Sequence, residues 1–205
     1  MKPMLMVKEY SPVKSAVTAS QVAGELYRAS LIARQLSLAA KNSQAVVHRA
    51  GSRVAGLKVI SEYFADLALK TIKLAEDINT ISLDISQMAV ERWRLNTLIG
   101  HLFDSQEKNA NDNVEQIVHD IQTHQLELNN RFNIEIRKLE SQLEEIQQYM
   151  QASRVIAVSF RLEATQTDEY QGILDDMADN IDVFSEKIKQ HVIGAKNYID
   201  RLLQS

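Results

Sequence analysis

Apolar residues recur along most of this chain at alternating steps of three and four. From Leu57 they run Leu57, Ile60, Phe64, Leu67, Thr71, Leu74, Ile78, Ile81, Ile85, Met88, Arg92, Leu95, Ile99 and Leu102, with only Thr71 and Arg92 breaking the pattern. A seam held over that many heptads predicts a supercoiled helix rather than a short globular one. A third stretch is polar at first, at His124 and Asn129, and then reads Phe132, Ile136, Leu139, Leu143, Ile146, Met150, Ser153, Ala157 and Phe160. A fourth reads Leu174, Met177, Ile181, Phe184, Ile188, His191, Ala195, Tyr198 and Leu202. The first, with Ala19, Val22, Leu26, Ala29, Ala33, Leu36, Ala40, Ser43 and Val47, is rich in small residues and suited to close approach by a neighbour.

Three breaks separate these seams. The glycines Gly51 and Gly56 interrupt the first, a polar run "SQEKNANDN" at 105–113 the second, and "TQTDEY" at 165–170 the third. Asp112 or Asn113 can cap the third helix and Asp168 the fourth. The pattern predicts helices over about 18–50, 54–107, 113–164 and 169–203. Residues 1–17 are expected to be a flexible N-terminal segment and 18–205 a single bundle. The two middle helices would be about 80 Å long at ~1.5 Å per residue. The expected fold is all-α, an elongated antiparallel four-helix bundle or coiled coil made of two long hairpins whose tips meet at one pole. A shift of 117 positions, 51 onto 168, lays Leu57 on Leu174 and Leu26 on Leu143. Both an internal duplication and two unrelated heptad stretches slid into register account for that match.

Composition agrees with the class. Apolar residues make up 45% of the 205, aromatics only 6%, and Gly and Pro are few. The net charge of −4, with both signs interleaved, offers no basic stripe for nucleic acid. With no cysteine there is neither a disulfide nor a thiolate site, which is consistent with a reducing compartment. The longest apolar candidate for a membrane span is broken by Arg34, Lys41 and Asn42, and the N-terminus lacks a signal-peptide core. The expectation is a cytoplasmic, soluble chain without a membrane span.

Candidate chemistry is sparse. His119 and His124 are five apart, off a common helical face, and no carboxylate–histidine motif repeats across helices, so no metal or other cofactor is expected. His124 and His191 fit a polar layer within the bundle. Neither a nucleophile elbow nor a phosphate-binding glycine loop is present, so no catalytic residue is assigned and the chain is read as non-enzymatic. Trp93, between Arg92 and Arg94, fits either a partner-binding aromatic or one that shields the side of the bundle. What remains is the tip. Gly51 suits a left-handed turn after a helix, Gly56 allows close packing beside it, and Arg49, Arg53 and Asn42 place donors nearby.

The same stretch carries a family likeness. Over residues 32–68, "IARQLSLAAKNSQAVVHRAGSRVAGLKVISEYFADLA" resembles the signalling hairpin of bacterial methyl-accepting chemotaxis receptors. Ile32, Ala33, Gln35, Asn42, Arg49, Ala50, Gly51, Gly56, Val59, Leu67 and Ala68 match without a gap, and Leu57 and Ile60 replace a Phe and a Val. Residues 162–181 look like an eroded copy that keeps Glu163, Ala164, Glu169, Ala178 and Asp179. The chain departs from the pattern at Val46, where the family has Glu, and at Gln35-Leu36-Ser37, where it has Gln-Thr-Asn. The resemblance implies a tip that docks a chemotaxis histidine kinase or its coupling protein. The partner-binding residues would be Asn42, Arg49, Gly51, Arg53, Gly56, Val59 and Glu163, and a homo-oligomer is compatible with this. The alternative is a structural coiled-coil scaffold or spacer without signalling activity.

Overall fold

The computed structural model describes residues 12–54, 56–106 and 112–204. Four α-helices follow in order: α1 (Pro12–Ala50, 39 residues), α2 (Leu57–Gln106, 50 residues), α3 (Asp112–Ala164, 53 residues) and α4 (Gln171–Gln204, 34 residues). A single 3₁₀ turn, Gly51–Val54, joins the first two. Each helix packs against two others, α1 against α2 and α4, and α3 against the same two, which closes an antiparallel four-helix bundle.

Helix α1 starts six residues before the expected Thr18, because Pro12 at the first helical position has its φ already set and lacks only an N–H that would be unsatisfied there anyway. Residues 12–17, assigned above to a flexible segment, are therefore helical, and 1–11 lie outside the described residues. Helix α4 begins at Gln171, so Asp168 stands too early to be its cap.

The seams are buried much as the periodicity predicts. Val22, Leu26, Ala29, Ala33, Leu36, Ala40, Ser43 and Val47 of α1 face inward, as do Leu139, Leu143, Ile146, Met150, Ser153, Ala157, Phe160 and Ala164 of α3. These are the same positions moved by 117 residues (22 to 139, 47 to 164), and the buried rows of α2 and α4 correspond in the same way. Thr71 belongs to the core rather than breaking it: its hydroxyl donates to the Leu67 carbonyl at 2.9 Å, as Ser82 does to Ile78 and Ser43 to Ala40. Arg92, the other break, lies with its guanidinium over the Phe132 ring, 4.7 Å from the centroid.

Two details depart from the expectation. In α4 the positions chosen three residues after each core residue, Met177, Phe184, His191 and Tyr198, are only half-buried, while Ala178, Ser185, Val192 and Ile199 occupy the core. His124 is half exposed and bonds Glu91 at 3.0 Å, so of the two histidines placed in a polar layer only His191 is substantially enclosed. Its Nδ1 lies 2.7 Å from Glu25 of α1.

Helices α2 and α3 outlast their neighbours. Fully buried residues recur along α2 as far as Ala89, after which Leu95, Ile99 and Leu102 are only half covered. There the pairing is polar as well as apolar, with Gln125 Nε2 donating to Asn96 Oδ1 at 2.6 Å. The molecule is thus a four-helix section of about 50 Å that tapers to a two-helix extension, at ~1.5 Å per residue.

Candidate functional site

Both hairpins turn at the same pole of the bundle, taken here as the top. At the first turn Gly51 adopts φ +59°, the left-handed conformation that ends α1, and the 3₁₀ turn then drives Val54 completely into the core. The second turn needs no left-handed residue. Its chain reverses through Gln166 N–H donating to Glu163 O at 3.0 Å and Tyr170 N–H to Thr167 O at 3.3 Å, and the Thr165 and Thr167 hydroxyls bond the Leu162 and Glu163 carbonyls. Conformation alone therefore explains why the second tip can lack the glycine of the first.

The two turns meet through Gly56 and Glu163. A methyl group added at Gly56 would lie 3.4 Å from a Glu163 carboxylate oxygen. That is ordinary contact, so Gly56 is not required to make room, contrary to the sequence expectation. What the arrangement does is set a carboxylate of the last turn of α3 beside the start of α2, where the free N–H groups favour negative charge.

Of the other predicted site residues, Arg49 is exposed on the last turn of α1, with Nε donating to the Ala45 carbonyl at 3.3 Å. Val59 projects outward from α2 and is 71% exposed. Arg53 lies in the 3₁₀ turn, and its side chain is outside the described residues. Asn42 is exposed but sits nine residues before Gly51, about 13 Å down α1. The structure thus gathers Arg49, Gly51, Gly56, Val59 and Glu163 near the pole and leaves Asn42 apart.

Three features at this end escaped the sequence reading. Val54 closes the top of the core. A hollow of about 560 Å³ beside the first turn is lined by Gln44, Val47 and His48 of α1 and Lys58, Ser61 and Glu62 of α2. A groove of about 530 Å³ runs between α1 and α4, with Asn42 on its wall and Leu38, Ile173, Met177 and Phe184 in its floor. The signal for the groove is a set of apolar residues just off each seam, Leu38 on α1 with Ile173, Met177 and Phe184 on α4.

Below the second turn α3 and α4 are clamped by charge. Arg161 bonds Asp179 at 2.7 Å and Asp182 at 2.8 Å, and Arg154 bonds Glu186. The hydrogen bonds to Asp179 and then Asp182 hold the Arg161 guanidinium even more firmly protonated than usual. Between α2 and α3 the Tyr149 phenol donates to the Glu145 carboxylate, which together with burial pushes its pKa up to about 12. Among the described residues no group of three or more His, Asp or Glu is placed to hold a metal ion, and no helix is long and apolar enough to cross a membrane. Against protein-family models, curated proteins and solved structures the chain finds no match.

Proposed function

We propose that this chain is a non-enzymatic, cytoplasmic, chemoreceptor-like signalling or adaptor protein that docks a chemotaxis-type histidine kinase or its coupling protein through its hairpin tips. The observation that carries the reading is the meeting of Glu163 with Gly56. The resemblance picks these residues out of two separate hairpins, and they adjoin at one pole, flanked by exposed Arg49 and Val59. A rigid bundle beneath supports such a tip, because the buried rows run unbroken from the turns down the four-helix section.

The test is direct binding of purified kinase and coupling protein. Arg49→Glu reverses a charge at the docking surface and is expected to weaken binding by about 2 kcal/mol or more where the contact is desolvated. Asn42→Ala, lower on α1, should cost less, because a neutral hydrogen bond contributes only about 1 kcal/mol net. Arg137→Glu, exposed on α3 far from the pole, is the control. If the wild-type chain binds neither protein at tens of micromolar, or if tip and control variants behave alike, the molecule is a structural scaffold or spacer instead.

A further inference from the structure

The two hairpins carry opposite charge where they reach the pole, and we infer that two copies of this chain pair end to end there, the first turn of each against the second turn of the other. Between Glu25 and Glu62 the first hairpin has no acidic residue, and it carries Arg28, Arg34, Lys41, Arg49, Arg53 and Lys58. Between Arg161 and Lys187 the second has no lysine or arginine, and it carries eight Asp and Glu, from Glu163 to Glu186. The signs that interleave over the chain as a whole are separated at this end. Lys58 and Asp175, which correspond under the shift of 117, have opposite charge.

Lower down, much of this charge is engaged within the chain, Arg28 by Glu25, Arg34 by Glu76, and Asp179, Asp182 and Glu186 by Arg161 and Arg154. At the pole it is not. Exposed Arg49 and Lys58 on one side, and exposed Asp168 and Asp176 with half-buried Asp175 on the other, make no ion pair among the described residues. Lys41 is also exposed and unpaired but lies about 15 Å down α1 from Gly51. Because α1 and α2 form one side of the bundle and α3 and α4 the other, the pole has a cationic half and an anionic half. A partner that fits both halves must carry the same division in reverse. The chain's own pole does so when turned by 180° about an axis lying in the pole face between the hairpins, an isologous contact that lays each cationic half on an anionic one. Turned about the axis that crosses both hairpins, it would set like charge on like. Four helices, each about 10 Å across, present a face of roughly 400 Å², about half of what a standard interface buries on each partner, so the pair is weak and leans on charge. Pairing covers Arg49, Gly51 and Glu163, and it therefore excludes docking of another protein at the tip.

Sedimentation of the purified chain alone is the test, and it needs no kinase, so failure of pairing and failure of tip docking read out separately. At low salt the wild type should dimerise reversibly, and about 0.3 M salt should weaken the dimer tenfold or more. Small-angle scattering should give the dimer a maximum dimension close to twice that of one chain, which a side-by-side pair does not reach. Arg49→Glu with Lys58→Glu reverses the cationic half, and Asp168→Lys with Glu169→Lys and Asp176→Lys reverses the anionic half. Each variant alone should lose self-association tenfold or more. Mixed in equal amounts, the two should pair again as a heterodimer, because both contacts are restored with their signs exchanged. Asp84→Lys and Arg137→Glu, exposed and about 40 Å from the pole, should change nothing. A wild type that stays monomeric at low salt up to millimolar chain overturns the inference, as do variants that still dimerise or a mixture that stays monomeric. Circular dichroism shows whether each variant has folded; where one has not, Gln and Asn at the same positions replace the reversed charges and should still weaken the wild-type dimer, an unchanged dimer again overturning the inference.

Discussion

Gly51 and Gly56 look alike in the sequence but are expected to respond oppositely to alanine. At Gly51 the backbone is at φ +59°, where a Cβ costs roughly 1–2 kcal/mol, although the space around it is open. Alanine also narrows the unfolded ensemble, which returns about 0.4–1 kcal/mol. Gly51→Ala should therefore lose on the order of 1 kcal/mol. At Gly56 φ is not positive and the new methyl would make only ordinary contact with Glu163 at 3.4 Å, so the unfolded-state effect stands alone and Gly56→Ala should be neutral or gain a few tenths. The predicted gap of about 1.5 kcal/mol corresponds to ~3–6 °C in Tm for a chain of this size. Urea unfolding followed by far-UV circular dichroism measures it, with an unchanged slope showing that only stability has moved. Gly51→Asn should recover part of the loss, since Asn tolerates the left-handed region. Equal midpoints for the two alanine variants, or greater damage at Gly56, would refute the account of the turn.

Two further outcomes follow from the core and from Tyr149. Ile78→Ala removes a fully buried side chain in the middle of α2 and should cost roughly 2–4 kcal/mol, whereas a loss below about 0.5 kcal/mol in the same urea assay would place the seam on another face. Tyr149 should be the phenol that ionises near 12 in an alkaline ultraviolet titration and should vanish from that titration in Tyr149→Phe. Because the native pKa lies above the ordinary value near 10, the protonated form is favoured by folding. The stabilisation is fully present below about pH 10 and is lost as pH rises through 12, so the stability advantage of wild type over Tyr149→Phe should shrink across that window. Ionisation of Tyr149 near 10 would mean that the Glu145 hydrogen bond does not persist in solution.

The helices were legible because their pattern is redundant: ten or more seam residues per long helix leave little freedom for another period. Helix ends were less so. Thr18 looked like a start because the small-residue seam begins there, yet a proline at the first helical position serves equally well and carried α1 back to Pro12. Asp168 carried a capping side chain, but the second turn is closed by backbone bonds and threonine hydroxyls that the sequence does not rank above it. At the tip, the glycine demanded by a positive φ was separable from the other only with coordinates.

The error in α4 has a physical cause that also explains the unseen groove. Residues three and four beyond a core position lie on either side of the seam, and periodicity alone does not say which flank goes deeper. The alternation of threes and fours put Met177, Phe184, His191 and Tyr198 inside, whereas the core took Ala178, Ser185, Val192 and Ile199. On α2 both flanks go inside: Leu67, Ile81 and Met88 are buried together with Ser61, Ala68, Ala75, Ser82 and Ala89, and Ser61 shares the hollow with Gln44 and Val47 of α1. On α4, by contrast, Ala178 and Ser185 let a neighbouring helix approach closely, and Met177 and Phe184 are displaced toward the groove beside α1. Had the core of α4 been given to the smaller residues from the start, Met177 and Phe184 would have stood out as a surplus apolar stripe beside Ile173. Leu38 of α1 faces that stripe across the groove.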